Sequence, residues 1–382
     1  MAGNKVKRNR AAKAATSVEV FVYTGPDCSV PKDVISVQFH PSLVKVADRA
    51  FAHCSKLKEV IFNEGLQMIC ESAFSPCISL ESIVLPSTVT EIGRNAFSSC
   101  YNLRELVLND GLQKIMFGAF QHCTSLESIM LPSSLTWAPG AFFGCMNLQN
   151  VVLNEGITEV WGESFSVCKS LESITIPSTV TEIKGSAFSY CHQLKEVILK
   201  EGLLKIGSFA FHNCKTLPSI TIPSVTEIDN TTFLGCKSLS EVILQGIQYN
   251  WVHAFFECES VEVFMFPTMS SRLNAIIRAG HWKEIENKVN EIRGAMEKRN
   301  GELCMPASAM RRGWIRGYGN EVVCKMEKLI SHYEMKDATS MFELALWKSK
   351  LHQAGSNVEN RSDYRVEVPG PVKETILGYF YS

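Results

Sequence analysis

Cysteine is the residue type whose number and spacing in this chain could support chemistry. Cysteines stand at positions 54, 77, 100, 123, 145, 168, 191, 214, 236 and 258, each 22 or 23 residues after the one before. Thiols brought together at that interval could pair as disulfides, hold soft metal ions, or serve as nucleophiles. Their surroundings give a plainer expectation. No Cys-x-x-Cys pair occurs, and a phenylalanine precedes every one of these cysteines by three residues, from Phe51 to Phe255. An aliphatic residue follows at +3, and apolar residues recur at +6 and +8. A small thiol in so apolar a setting is expected to fill a tight bend. Cys28, Cys70, Cys304 and Cys324 lie outside this ladder. The nine histidines show no metal-ligand spacing, and no nucleophile elbow, zinc-protease helix, phosphate loop or dinucleotide fingerprint is present. Neither an enzyme activity nor a cofactor or metal is therefore expected.

What positions the cysteines is a repeat with a period in the low twenties, the mark of a solenoid of stacked units. In each rung the stretch from +5 to +8 alternates as a strand does, so stacking in register predicts a parallel sheet of about eleven rungs. A second short apolar piece, such as Val89-Thr90-Glu91-Ile92, leads through Gly93 into the Ala-Phe bend. The turn after the first strand alternates between two kinds. Asn-Glu-Gly (63–65, 154–156) and its variants at 109–111 and 200–202 take turns with Pro-Ser-Thr (86–88, 177–179) and Pro-Ser-Ser (132–134). Glycine permits positive φ and proline forbids it, so neighbouring turns are expected to differ in backbone shape.

The chain divides by composition. Residues 1–17 form a basic tail expected to be disordered, residues 18–53 an N-terminal cap and first rung, and residues 54–267 the solenoid proper. Residues 268–354 read as an α-helical segment, with helix over 269–299, a glycine- and arginine-rich loop over 300–320 and further helix beyond; residues 355–382 read as a terminal loop. Val18–Tyr23 is expected as a strand closing the N-terminal end of the core.

The motif Leu-x-x-Ile-x-Leu-Pro-Ser-x-Val-Thr-Glu-Ile-x-x-x-Ala-Phe-x-x-Cys, read at 80–100 and again at 171–191, resembles the BspA-type leucine-rich repeat. That resemblance implies a right-handed leucine-rich-repeat solenoid with the parallel β-sheet on its inner face, acting as an interaction protein. The segments around Leu273–Ile277 and Phe342–Lys348 are similar to the helical tail of algal members of the family. Many relatives are cell-surface or secreted proteins.

If +6 and +8 point inward, +5 and +7 must face out. Position +5 carries Glu59, Glu105, Asn150, Glu196 and Glu241 in alternation with serines, and position +7 is an apolar or β-branched stripe: Ile61, Val84, Val107, Met130, Val152, Thr175, Ile198, Thr221 and Ile243. Such a stripe on an open sheet marks a surface for a protein or peptide partner. Two other readings stand beside it: β-branched residues simply suit strands, or the C-terminal helices cover the stripe.

Charge narrows the classes of partner. Residues 18–267 hold 15 Lys and Arg against 25 Asp and Glu, whereas residues 1–17 hold five basic residues and no acid. An acidic repeat body argues against nucleic acid, whose phosphates need cations. Arg311, Arg312 and Arg316, interleaved with Trp314 and Tyr318, are a small exception that could stack on single-stranded nucleic acid. No apolar run reaches the length of a membrane-spanning helix, and no secretory h-region is seen near the N-terminus. A cytoplasmic location is expected, with a nuclear one as the alternative through Lys5, Lys7, Arg8, Arg10 and Lys13. The reading is a non-catalytic scaffold; a cell-surface receptor or a structural part of a larger assembly are the alternatives.

Overall fold

The computed structural model describes residues 20–224, 226–246, 251–276, 278, 297–299, 302–306 and 323–336. The basic tail, the Arg311–Tyr318 loop and the helix expected through Leu344, Trp347 and Leu351 lie outside them. The chain forms two compact units: Met1–Ser270 with Arg293–Cys324, and Ser271–Ile292 with Lys325–Ser382.

The first unit is the solenoid. Its main sheet stacks Val20–Tyr23, Ser36–Phe39, Glu59–Ile61, Ser82–Val84, Glu105–Val107, Ser128–Leu131, Asn150–Leu153, Ser173–Ile176, Glu196–Leu199, Ser219–Ile222, Glu241–Leu244 and Val263–Met265 in parallel. We call these the face strands. A second row of two-residue strands, from Lys45–Val46 to Glu227–Ile228, pairs in parallel on the other limb of each rung. The pattern of burial follows the alternation in the sequence. Ile129 and Leu131 are buried while Ser128 and Met130 are exposed, and the same holds at Asn150–Leu153 and Ser173–Ile176.

Phenylalanine and cysteine build the core column. From Phe51 to Phe255 each ring stacks on the next, with centroids 5.0–5.7 Å apart and planes within 1–11°. Offset stacking of this kind adds about 0.5–1.5 kcal/mol per pair beyond burial. The cysteines contribute a second column. Each thiol from Cys77 to Cys258 donates to the carbonyl oxygen of a phenylalanine in the preceding rung, at 3.1–3.4 Å. The thiol therefore does more than fill space: it gives the phenylalanine carbonyl a second donor beside the backbone N–H of the cysteine three residues on, as Cys123 N–H and the Cys145 thiol both donate to Phe120.

That bend has a geometry the sequence hides. The residue before the cysteine takes positive φ in nearly every rung, including His53, Ser99, His122, Val167 and Tyr190, and so does the residue two before the phenylalanine, such as Arg49, Asn95 and Ser186. Neighbouring rungs impose this, since the N–H of Val167 donates to the Ser189 carbonyl at 2.7 Å and that of Tyr190 to the His212 carbonyl at 2.7 Å. Val167 is the costly member, because a β-branched side chain at φ 64° crowds the backbone. Equivalent positions carry Gly144, Asn213 and Gly235. Val167→Asn is expected to stabilise the chain by about 1 kcal/mol, seen as a raised melting temperature; no increase would mean that the bend tolerates Val167 without strain.

The two kinds of turn interlock. Gly65, Gly156 and Gly202 have φ of 104–107°, as a positive-φ turn requires, whereas Gly111 does not use that freedom. Asn109 donates through Nδ2 to the Pro86 and Val89 carbonyls, reaching from a glycine-type turn to the proline-type turn before it. In the opposite sense, the hydroxyls of Thr88, Ser134, Thr179 and Thr226 donate to Leu66, Leu112, Ile157 and Leu203 carbonyls of the preceding glycine-type turn. The face ladder carries the same two-rung period. Its hydrogen-bonded pairing is interrupted just before the strands that run into Pro86, Pro132, Pro177 and Pro223. Proline has no N–H to give at that position; in a rung without it, the Gln245 N–H donates to the Ile222 carbonyl at 3.0 Å.

Both ends of the main sheet are closed. Val20–Tyr23 pairs with Ser36–Phe39, and Tyr23 meets Phe39 and Phe51 edge-on. At the far end the structure corrects the expectation of helix at 297–299 and of loop at 302–306. Helix α1 is described over Pro267–Ile276, at the start of the expected helical stretch, and Glu297–Arg299 pairs antiparallel with Glu302–Pro306, which pairs antiparallel with Val263–Met265. An open parallel edge exposes unpaired backbone groups, and this hairpin covers them. The signal was Asn300-Gly301, the dipeptide favoured in tight hairpin turns.

In the second unit, Arg272 of α1 donates to Glu334 at 2.6 and 2.8 Å, and pairs with Glu327 of the helix at 323–336. Val323, Met326, Ile330 and Tyr333 are buried along one side of that helix, matching the apolar spacing in the sequence; Leu329 is half-buried.

Candidate binding face

The candidate site is the outward side of the main sheet. A face strand's +5 and +7 side chains leave the sheet on the side opposite the phenylalanine column, so rung stacking lines them up as two columns. The +7 stripe is open to solvent: Ile61, Val84, Val107, Met130, Val152 and Ile198 are 42–59% exposed. Thr175 is exposed as well, while Thr221, Ile243 and Met265 are half-buried. Glu59, Glu105 and Glu196 are exposed in the +5 column. Register places Val84 beside Val107 and Met130 beside Val152. The sequence-predicted residues thus form one continuous strip rather than scattered points.

Two shallow depressions lie along it. One, of about 470 Å³, is bordered by Glu105, Val107, Met130, Asn150 and Val152, with Asp110 on its margin. The other, of about 420 Å³, is bordered by Val152, Thr175, Glu155 and Lys200. Asp110 and Glu155 belong to a column that the sequence reading did not assign to the site: the acid of each glycine-type turn. Their signal was the Asn-(Glu/Asp)-Gly motif, which had been used only for backbone shape. Ser87, Ser178 and Ser224 donate to Glu64, Glu155 and Glu201 from the next rung, at 3.1–3.2 Å, and orient those carboxylates. Lys200 sits 3.3 Å from Glu155, and with the serine it holds that carboxyl below its ordinary value, although burial acts the other way.

The thiol ladder offers no reactive site. Burial pushes the Cys100 and Cys145 thiols up to about 12, and Cys123, Cys168 and Cys191 well above the ordinary value. A nucleophilic cysteine needs the opposite shift. Among the described residues, no group of three His, Cys, Asp or Glu side chains is placed to hold a metal ion, and no helix is long and apolar enough to cross a membrane.

The BspA type leucine rich repeat region, in six copies, matches residues 31–149, 136–240 and 159–277. The chain belongs to this family. As a BspA-type leucine-rich repeat protein it is a repeat scaffold. It is 34% identical to a leucine-rich repeat protein of T. pallidum over 40% of this chain and 72% of that one, with a TM-score of 0.38. It is also similar to a leucine-rich repeat protein from Bacteroides ovatus, at 24% identity over 63% of this chain and 86% of that one, TM-score 0.38. A leucine rich cell surface protein from Faecalibacterium prausnitzii is 20% identical over 60% and 78% of the two chains, TM-score 0.35. No curated protein matches the sequence.

Proposed function

We propose that this BspA-type chain is a non-catalytic scaffold that binds a protein or peptide on the outward side of its main sheet. The observation carrying this reading is the exposed apolar strip from Ile61 to Ile198, unbroken by charge across seven rungs. β-Propensity accounts for β-branched residues there, but not for Met130 at 59% exposure. Burying such a strip against a partner is worth about 25 cal/mol per Å² of apolar surface before the costs of association. The cytoplasm is the proposed compartment, because each ladder thiol serves the fold as a reduced donor.

Proximity labelling in the native cell tests the reading, comparing the chain with its Val107→Lys, Val152→Lys variant. Both positions are exposed, so the variant is expected to melt with the parent while a defined set of labelled neighbours disappears. Persistence of every neighbour would remove the face as the site. Labelling of a tagged chain at the surface of intact cells would overturn the compartment.

A further inference from the structure

The acids flanking the strip recur at a spacing that selects the shape of what lies between them. One flank carries Glu64, Asp110, Glu155 and Glu201 in the glycine-type turns, one acid every second rung. The other carries Glu59, Glu105 and Glu196 at +5, with Asn150 in the rung midway between the last two and Lys58 and Arg104 beside the first two. On each flank the alternate rungs hold serine or another small residue, such as Ser82, Ser128, Ser87 and Ser133. On the turn flank negative charge therefore repeats every two rungs, which at the strand spacing of a sheet is about 9.6 Å. Between the flanks runs the apolar +7 strip. The turn carboxylates are pre-oriented by serine donors, as Ser87 holds Glu64 and Ser178 holds Glu155.

A peptide lying along the strip, across the strands, must present cations with the same repeat and on the same side. A polyproline II helix turns once in three residues and rises about 3.1 Å per residue, so every third side chain returns to one side after about 9.3 Å. An α-helix returns after seven residues, about 10.5 Å, and slips by roughly 0.9 Å per repeat against the acids. An extended strand returns after two residues, about 6.7 Å, and matches neither one rung nor two. We propose, on the footing that this face is the binding surface, that its partner is a basic polyproline II segment carrying Lys or Arg at every third position, with its prolines on the apolar strip.

The test uses two labelled 18-residue peptides of identical composition, six Lys-Pro-Pro triplets against six Lys-Pro pairs followed by six prolines. Fluorescence anisotropy with the full chain is expected to show the triplet peptide binding at least tenfold more tightly. Glu105→Gln combined with Glu155→Gln is expected to weaken it about tenfold while leaving the melting temperature unchanged. Equal affinity for the two peptides would overturn the register argument and leave only diffuse charge attraction. Tighter binding of a helical basic peptide of the same charge, or no binding of any, would overturn the conformation. These outcomes are separable from the face assignment itself: if the double-lysine variant still loses its native neighbours while both peptides fail, the face stands and the basic polyproline partner falls.

Discussion

Between pH 9 and 11 the solenoid is expected to lose stability steeply, and the buried thiols are the cause. Burial raises the thiols from Cys77 to Cys214 above the ordinary 9.0; for Cys236 burial leads as well, and for Cys258 the hydrogen bond with Cys236 leads. The folded chain keeps these protons while the unfolded chain releases them near the ordinary value. Above that value the native state binds more protons, so stability falls as pH rises, by about 1.4 kcal/mol per pH unit for each such thiol. The fall continues until the folded thiols themselves ionise, at about 12 for Cys100 and Cys145. Several thiols in one cooperative block would contribute on the order of 5–10 kcal/mol per unit, comparable to the whole stability of a domain. Urea midpoints measured from pH 8 to 11 should trace this decline. In a variant with Cys123→Ala and Cys168→Ala the decline should be shallower by the share of two thiols. A profile flat to pH 11 would mean that the thiols are not buried as described.

Phe120→Ala is expected to cost about 3–5 kcal/mol, through lost transfer free energy and the cavity left behind. Phe120 is fully buried and stacks on Phe97 at 5.2 Å and Phe142 at 5.5 Å. Its carbonyl also accepts the Cys145 thiol, so a collapse of the cavity would disturb the adjoining thiol column. Because rungs contact only their neighbours, the loss should be local, uncoupling the rungs on either side rather than lowering every rung equally. Hydrogen exchange would show amides near rung 97–142 opening first. A melting shift no larger than that of an exposed control such as Glu105→Ala would show that the ring column does not hold the stack.

The face was legible because a strand's period of two puts any rung-long pattern on one side or the other. Ile129 and Leu131 had to be buried together, and Met130 had to leave with Ser128. The bends were not legible. Val167, Tyr190, His122 and Ser99 share no chemistry, and it is the carbonyl of the following rung that fixes their positive φ, a constraint outside any local window. The C-terminal hairpin was missed for a different reason. The residues of Glu297–Arg299 are good helix formers, and pairing with a sheet edge overrode that preference. The turn acids were visible but read for backbone shape, and only their position beside the depressions joins them to the face.

The interlocking turns also set the unit in which this protein can change length. Pro86, Pro132, Pro177 and Pro223 recur every 45 or 46 residues. Recombination that inserts or removes such a pair of rungs leaves every Asn109-like and Thr88-like contact with its proper neighbour. An odd step would set two turns of one kind against each other. Gene-level growth of the array is thereby confined to even steps, so parity, as well as period, is inherited.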